Sequence, residues 1–358
     1  MQGNSHVPFW RATAFVRKSL TLIVVITRHG SPEVLQVVED ELPEPQVGEV
    51  RVRILATGVA FTDVLIREGL YPGIPKVPFS PGYEIIGVVD KLGAGVSTLE
   101  LGQRVAALTI VGGYSEFLCL PASDLVPVPA GVDSAEAVSL VLQYVTAYQL
   151  LHRVAKVKPG ERILIHGAAG GVGTALLELG KLTGLEMYGT ASQPKHELIA
   201  RLGGIAIDYK HEDFVGQIRH FTRDGVDVVF DAIGGSHLIK SYKTLRKNGC
   251  LINYGFSSAL ATKSHRMLTF AVSFVLLLML KWLPDGHNVT FYNIAGFKKQ
   301  HPDWFREDLT SLFDLLAQGQ IKPIISDRLP LTQAAHAHEL LDRSAVHGQL
   351  VLLCTQEI

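Results

Sequence analysis

The spacing of apolar residues along the chain changes most sharply at residue 163. Residues 163–165 form an unbroken apolar run, as in a strand that is buried on both faces of a sheet. After a glycine-rich turn, apolar residues recur with the period of a helix at Val172, Ala175, Leu176, Leu179 and Leu182. Gly184 suits the C-terminal cap of that helix. The pattern predicts a strand, a tight turn and a helix between residues 163 and 184.

Strand and helix patterns continue to alternate after this unit. Short β-rich runs lie at residues 185–190, 205–209, 226–231 and 250–254, and a helical pattern precedes each of them. This order requires parallel strands joined by right-handed helical crossovers. The middle of the chain is therefore predicted to be a doubly wound parallel sheet, with ligands at the carboxyl ends of its strands.

The first part of the chain has a different pattern, in which short β-branched runs are separated by proline and glycine. These runs lie at residues 22–27, 49–56, 83–91 and 104–108. They predict a compact β-rich domain. Near the end of the chain, helical patterns at 303–316 and 331–341 are interleaved with strand patterns at 324–329 and 347–353. These last strands are expected to pack back on the first domain.

The glycines of the central turn are regularly spaced. Gly167, Gly170 and Gly173 stand at G-x-x-G-x-x-G spacing, with Gly171 as a fourth. Glycines let the backbone turn sharply and approach a pyrophosphate, while the free N–H groups of a helix start face its negative charge. A glycine triplet alone also fits an ordinary tight turn. The preceding strand and following helix favour a dinucleotide-binding loop.

Composition and charge exclude several classes of function. The 358 residues are 47% hydrophobic and carry a net charge of −1, which indicates a globular protein without a nucleic-acid partner. Three cysteines are too few for a disulfide framework or a four-cysteine zinc lobe. A reducing, cytoplasmic compartment is the simplest interpretation.

Residues 1–20 allow two interpretations. They contain Arg11, Arg17 and Lys18 but no acidic residue, and an apolar run follows at 20–26. A signal or transit sequence is one hypothesis. A short extension before a first strand is the other, and it is favoured because no small-residue cleavage site follows.

Residues 267–280 are fourteen consecutive residues without a charge, followed by Lys281 and Trp282. A membrane-spanning helix needs about 20 apolar residues, so this segment is too short. We predict a helix that is partly buried against a partner subunit or a substrate cleft. Weak membrane contact through 267–282 is the alternative.

Several short motifs occur together in one order: 58–63, 81–84, 88–95 with Gly102 and Val105, 113–116, 146–148 and the glycine turn. In this order the chain resembles the medium-chain dehydrogenase/reductase superfamily, and within it the zinc-independent quinone oxidoreductases related to zeta-crystallin. The resemblance implies an α/β fold with a GroES-like β-rich domain at 21–140 and 299–358. It places a Rossmann NADP-binding domain at 141–298 and leaves residues 1–20 as an extension. It also implies a homodimer.

Two departures from the zinc-dependent members of the superfamily concern a metal. Those enzymes have cysteine where this chain has Ala60 and histidine where it has Tyr83. Neither alanine nor tyrosine normally binds zinc. We therefore predict that the protein binds no metal at this site or elsewhere. Quinone oxidoreductases usually have asparagine at the Ala60 position, so this chain lacks one polar substrate contact.

The end of the second strand of the parallel sheet determines the choice of cofactor. NAD enzymes usually place a carboxylate there, whereas residues 190–195 of this chain contain none. Ser192 and Lys195 are able to donate to a 2′-phosphate, so NADPH is predicted. The resemblance assigns phosphate binding to Lys195 and Tyr209. The full predicted cofactor set is Thr146, Gly167, Ala169, Gly170, Gly171, Val172, Gly173, Ser192, Lys195, Tyr209, Ile233, Tyr254 and Phe256.

The predicted chemistry needs a hydrogen-bond donor for the substrate oxygen that gains charge. Tyr71, Tyr83 and Asp63 are the catalytic candidates that the resemblance supplies, with purely structural roles as the alternative. The main hypothesis is an NADPH-dependent reductase of quinones or α,β-unsaturated carbonyls, a small-molecule substrate class. An enoyl reductase of carrier-bound acyl chains is the second hypothesis. A membrane- or partner-binding protein that holds NADPH mainly as a structural ligand is the third.

Overall fold

The computed structural model describes residues 19–261 and 266–354, and it contains three sheets. Strands β1 (Leu20–Ile26) and β2 (Leu35–Glu41) form an antiparallel pair. The apolar run at 20–26 is thus a strand, as the extension hypothesis requires. Residues 1–18 of the predicted extension lie outside the described residues.

A seven-stranded sheet brings together both ends of the chain. Its strands are β3 (Glu49–Val59), β4 (Glu84–Leu92), β5 (Arg104–Leu108), β6 (Phe117–Pro121), β7 (Val126–Pro127), β14 (Ile325–Pro330) and β15 (Gln349–Leu353). Their order is β14-β15-β3-β4-β5-β7, with β6 also paired to β3. β15 runs antiparallel to β3, so the last strand completes the sheet that the first part of the chain begins.

The other large sheet is parallel throughout. Its strands are β8 (Arg162–His166), β9 (Glu186–Ala191), β10 (Ile205–Asp208), β11 (Val226–Asp231), β12 (Leu245–Asn253) and β13 (Asn288–Phe291), in the order β10-β9-β8-β11-β12-β13. The chain changes direction across the sheet between β8 and β11, which creates a crevice at their carboxyl ends. The predicted α/β fold with a β-rich domain and a doubly wound sheet is confirmed. The domain boundaries at 140/141 and 298/299 stay a prediction.

Helices cover the parallel sheet and fill the space between the two large sheets. They are α1 (Phe61–Arg67), α2 (Ser134–Ser139), α3 (Val145–Tyr148), α4 (Gly171–Thr183), α5 (His196–Arg201), α6 (Phe214–Thr222), α7 (His237–Lys243), α8 (Ser258–Ala261), α9 (Arg266–Lys281), α10 (Ile294–Gln300), α11 (Pro302–Ala317) and α12 (Ala334–Asp342). A π-type turn at Leu140–Tyr144 joins α2 to α3, and a second one at Gln149–Ala155 extends α3 to form one helical stretch. Such turns often accompany functional sites.

Helix α9 contains the apolar segment and packs on the sheet with one side only. Ser273, Leu277 and Leu280 are buried, whereas Val275 and Leu278 are more than half exposed. Trp282, just after the helix, is 81% exposed. Among the described residues, no helix combines the length and apolar character that crossing a bilayer requires.

Candidate active site

The glycine turn connects β8 to α4 and forms the floor of the crevice. Gly167 has a φ of +70°, and a side chain there would extend into open space. At Gly173 an added Cβ would collide with the Gly167 carbonyl, and at Gly171 it would collide with Gln143. The glycines therefore let the turn fold tightly onto the helix start. The N–H groups in the first turn of this thirteen-residue helix have no side-chain cap, so they are able to face an anion.

The second part of the crevice is the rim at the ends of β9 and β10. Asp208 pairs with Ala191 across these strands, so the next residues, Tyr209 and Ser192, lie side by side. Tyr209 is 54% exposed. This rim contains no carboxylate on the β9 side, as the sequence indicates.

Lys195 connects this rim to the chain end. Its Nζ donates to the carbonyls of Ser344 (3.0 Å) and Val346 (2.8 Å), and burial lowers its pKa. Nearby, the Gly348 N–H donates to the Ala169 carbonyl in the glycine turn. The loop before β15 is thereby attached to the cofactor crevice at two points. Lys195 has a third donor available for an anion.

The loops after β11 and β12 form the opposite side of the crevice. Asp231 accepts from the N–H groups of Ile233 (2.7 Å) and Gly234 (2.9 Å), and its own carbonyl accepts from the Tyr254 N–H. Burial works to raise the Asp231 pKa, but hydrogen bonds and charge from its polar neighbours, His237 foremost, hold that pKa below its usual value. The Phe256 ring is buried among Phe270, Phe274 and Phe291, at centroid distances of 5.1–5.4 Å. This ring therefore attaches α9 to the cofactor loop.

A buried polar chain runs beneath the glycine turn. His166 Nδ1 lies 2.9 Å from Thr190 Oγ1, and its Nε2 lies 3.1 Å from Ser241 Oγ, which donates to Asp231 at 2.6 Å. Burial, followed by the neighbouring His237, lowers the His166 pKa to about 3. The imidazole is therefore neutral, and its role here is structural.

Two tyrosines and an asparagine meet between the two large sheets. The hydroxyls of Tyr71 and Tyr83 lie 2.7 Å apart, and Asn293 Nδ2 donates to the Tyr71 hydroxyl at 3.2 Å. Tyr83 is 1% exposed, and burial, followed by the Tyr71 charge, raises its pKa. Tyr71 is only partly buried. The accessible phenol of Tyr71 thus lies on the side of the seven-stranded sheet, and the amide of Asn293, which follows β13, lies on the side of the parallel sheet.

Thr146 supports the same region from below. Its side chain hydrogen-bonds to Tyr292, whose hydroxyl also donates to Gln149 Oε1 at 2.7 Å. Gln149 Nε2 then donates to the buried Asp308 at 2.9 Å. This chain of hydrogen bonds fixes the segment that carries Asn293, so Thr146 contributes to the site through its neighbours.

Asp63 is not brought into contact with the tyrosine hydroxyls. Its carboxylate accepts from the N–H groups of Ala60 (2.9 Å) and Gly82 (3.3 Å). Burial raises its pKa to about 7. It thus joins the start of α1 to the segment before Tyr83, and its predicted catalytic role stays a prediction.

Comparison with known proteins agrees with this geometry. The description "Alcohol dehydrogenase GroES-like domain" matches residues 46–130, and "Zinc-binding dehydrogenase" matches residues 202–352. The chain is 33% identical over 336 residues to quinone oxidoreductase 1 of Escherichia coli strain K12, which covers 91% of this chain and 97% of that protein. The chain belongs to the quinone oxidoreductase family of medium-chain dehydrogenases/reductases.

A further relative and a solved structure are also similar to this chain. The rat (Rattus norvegicus) synaptic vesicle membrane protein VAT-1 homolog is 32% identical over 316 residues, or 87% of this chain and 78% of that protein. The crystal structure of Escherichia coli quinone oxidoreductase complexed with NADPH has a TM-score of 0.84 and 31% identity, covering 93% of this chain and all of that one. The predicted family is confirmed.

One of the two matching family descriptions names zinc. Ala60 and Tyr83, which stand where zinc-dependent members have cysteine and histidine, offer no suitable donor here. Ala60 has no ligand atom, and the Tyr83 hydroxyl is hydrogen-bonded to Tyr71. Elsewhere in the described part of the chain, ligand atoms of His166, Asp231 and His237 lie within 4.8 Å of one another. Ser241 Oγ lies among them and hydrogen-bonds to this cluster. Independence of zinc stays a prediction.

Sequence reasoning missed Asn293, Tyr292 and the carbonyls that hold Lys195. Asn293 follows β13, a four-residue strand whose sequence Asn-Val-Thr-Phe is too short to give a pattern. Had that strand been recognised, the rule that ligands lie at carboxyl ends would have pointed to Asn293. The two carbonyls have no side-chain signal at all.

Proposed function

We propose that this protein transfers hydride from NADPH to a quinone or an α,β-unsaturated carbonyl compound, without a metal ion. The observation that carries the proposal is the Tyr71–Tyr83 pair, which offers a phenol where zinc-dependent relatives hold a metal. The oxidoreductase class and NADPH as the cofactor were predicted from the sequence. Both are confirmed by the relationship to the Escherichia coli enzyme and its NADPH complex.

The residues of the crevice fit NADPH. The space beside Gly167 and the helix start of α4 suit a pyrophosphate, because no atom lies within 4 Å of the position that a side chain at Gly167 would take. The free donor of Lys195, with Ser192 and Tyr209 beside it, suits a 2′-phosphate. The loops at Ile233 and Tyr254 are assigned to the nicotinamide ribose.

When bound, NADPH supplies the hydride. The acceptor oxygen gains negative charge as its conjugated carbon receives that hydride, and the protein has to stabilise this charge. We assign this task to the Tyr71 hydroxyl, because it is the accessible member of the pair. The buried Tyr83 keeps its proton and hydrogen-bonds to Tyr71.

Steady-state kinetics with three acceptors test the proposal: a small benzoquinone, a cyclic enone and an enoyl thioester. We expect NADPH consumption with the first two. Tyr71→Phe is expected to lower kcat by about 100-fold, as for loss of a positioned acid, with KM for NADPH unchanged. Tyr242→Phe is the matched control, because Tyr242 hydrogen-bonds to Asp285 on the surface.

Two results would contradict the proposal. Turnover of the enoyl thioester alone would favour an enoyl reductase of carrier-bound acyl chains. Tight NADPH binding without turnover of any acceptor would favour a protein that holds NADPH as a structural ligand.

We further propose that a second copy of this chain covers the exposed side of α9. The patch includes Val275, Leu278 and Met279, each more than half exposed, and neighbouring exposed apolar side chains of this kind mark interaction sites. Phe274 connects it to Phe291 in β13, the edge strand of the parallel sheet. A two-fold axis at this edge would pair two strands and bury both patches. Membrane contact is the alternative outcome, and a cytoplasmic location stays a prediction.

A further inference from the structure

Within the described residues, the Tyr71 hydroxyl has two hydrogen-bond partners, and the surroundings of each partner determine where its hydrogens point. Asn293 Oδ1 accepts from the Gly296 N–H at 2.8 Å, where it caps the start of α10. This contact fixes which end of the amide is oxygen and which is nitrogen. The NH₂ group therefore faces Tyr71, to which it donates at 3.2 Å.

The second neighbour is Tyr83. Its hydroxyl is buried, and within the described residues its hydrogen-bond partner is Tyr71 at 2.7 Å. A buried O–H that points at no acceptor costs free energy, so Tyr83 donates to Tyr71. Burial also raises the Tyr83 pKa, which keeps that proton in place.

The Tyr71 oxygen thus accepts two hydrogen bonds, which use both of its lone pairs. Its own proton has to point away from Asn293 and Tyr83, and Tyr71 is the partly exposed member of the three. The same two donors would stabilise the phenolate that forms when this proton leaves. The contact from Asn293 also crosses between the two domains, since Tyr71 follows α1 and Asn293 follows β13.

We infer that Asn293 is a positioning residue that turns Tyr71 into a proton donor for the substrate. This inference rests on the proposed function. As hydride adds to the substrate carbon, an electron pair moves to the conjugated oxygen. The Tyr71 O–H bond breaks, its proton bonds to that oxygen, and the resulting phenolate accepts a proton from water. Asn293 itself touches no reacting atom.

The two functions of Asn293 are separated by substitution. Asn293→Asp keeps an oxygen for the Gly296 N–H but loses the donor to Tyr71, whereas Asn293→Ala loses both. Asp213→Asn is the matched control, because Asp213 caps α6 by accepting from Gly216 and lies outside the site. Benzoquinone reduction, NADPH affinity and thermal unfolding are measured for each variant.

For Asn293→Asp we expect kcat to fall about tenfold, the equivalent of one hydrogen bond of about 1.4 kcal/mol, with NADPH affinity and Tm unchanged. The alkaline limb of the kcat profile is expected to move to higher pH, because the phenolate has lost a donor and faces a carboxylate instead. Asn293→Ala should show the same kinetic change with a lower Tm. Asp213→Asn should be kinetically normal.

The outcomes distinguish this inference from the proposed function. Wild-type kcat and pH profile in Asn293→Asp, together with a large loss in Tyr71→Phe, would overturn the role of Asn293 alone. Full activity in Tyr71→Phe would overturn the proposed donor and, with it, this inference.

Discussion

Replacement of Lys195 by alanine tests the choice of cofactor. In the structure Lys195 uses two of its three donors on the Ser344 and Val346 carbonyls, which leaves one for a 2′-phosphate. A hydrogen bond to a charged group contributes about 1.5–3 kcal/mol. The dissociation constant of NADPH should therefore rise about 10- to 150-fold. NADH has no 2′-phosphate, so its dissociation constant should change less than about twofold by the same argument.

Fluorescence titration of both cofactors with wild type and Lys195→Ala measures this difference. Lys181→Ala is the control, since Lys181 is an exposed lysine in the last turn of α4. The Ser344 carbonyl belongs to an exposed residue and would be rehydrated in the variant, whereas the carbonyl of the buried Val346 would lose its donor, so a lower Tm is expected. Equal losses of NADPH and NADH affinity, or equal affinities in the wild type, would refute the phosphate role.

Three further predictions concern stability, metal and assembly. His338 is buried between Arg67 and Tyr114, and burial lowers its pKa to about 3, so its contribution is present above pH 6.5 and lost as the pH falls. In urea denaturation, the free energy of unfolding of the wild type should be about 2 kcal/mol lower at pH 5 than above pH 6.5, and His338→Gln should lack this decrease. Identical pH dependence in both proteins would contradict the prediction. Activity should survive a strong chelator, and elemental analysis should find no stoichiometric zinc. Val275→Glu with Leu278→Glu should halve the mass measured by light scattering, whereas unchanged mass with lost liposome binding would favour membrane contact.

Much of the fold was predictable because the buried strands are strongly patterned. The unbroken run at 163–165 and the helical period after it lead directly to β8, the glycine turn and α4. Strand β2 has no such pattern: its sequence Leu-Gln-Val-Val-Glu-Asp-Glu is mostly polar, because it pairs with β1 alone and is mostly exposed. Helix α9 was expected as a half-buried helix, but its sequence is apolar on all sides and does not show which side packs.

The site was predictable where backbone conformation dictates the residue type. Gly167, Gly171 and Gly173 are residues that the tight turn requires. The lack of a carboxylate after β9 is likewise visible in the sequence, and it led to the prediction of NADPH. The pairing of Tyr71 with Tyr83 depends on how a loop after α1 approaches β4, which no local pattern encodes. The capping role of Asp63 is equally non-local, because the Gly82 N–H is among its partners.

Metal-independent hydride transfer can be tested by following NADPH consumption with a benzoquinone after exhaustive removal of metals. A metal-independent mechanism that uses the Tyr71 hydroxyl predicts one hydroquinone formed for each NADPH oxidised, at the same rate before and after chelation. It also predicts a large loss of rate in Tyr71→Phe. Activity that disappears on chelation and returns with zinc, or that persists unchanged without the Tyr71 hydroxyl, would contradict it.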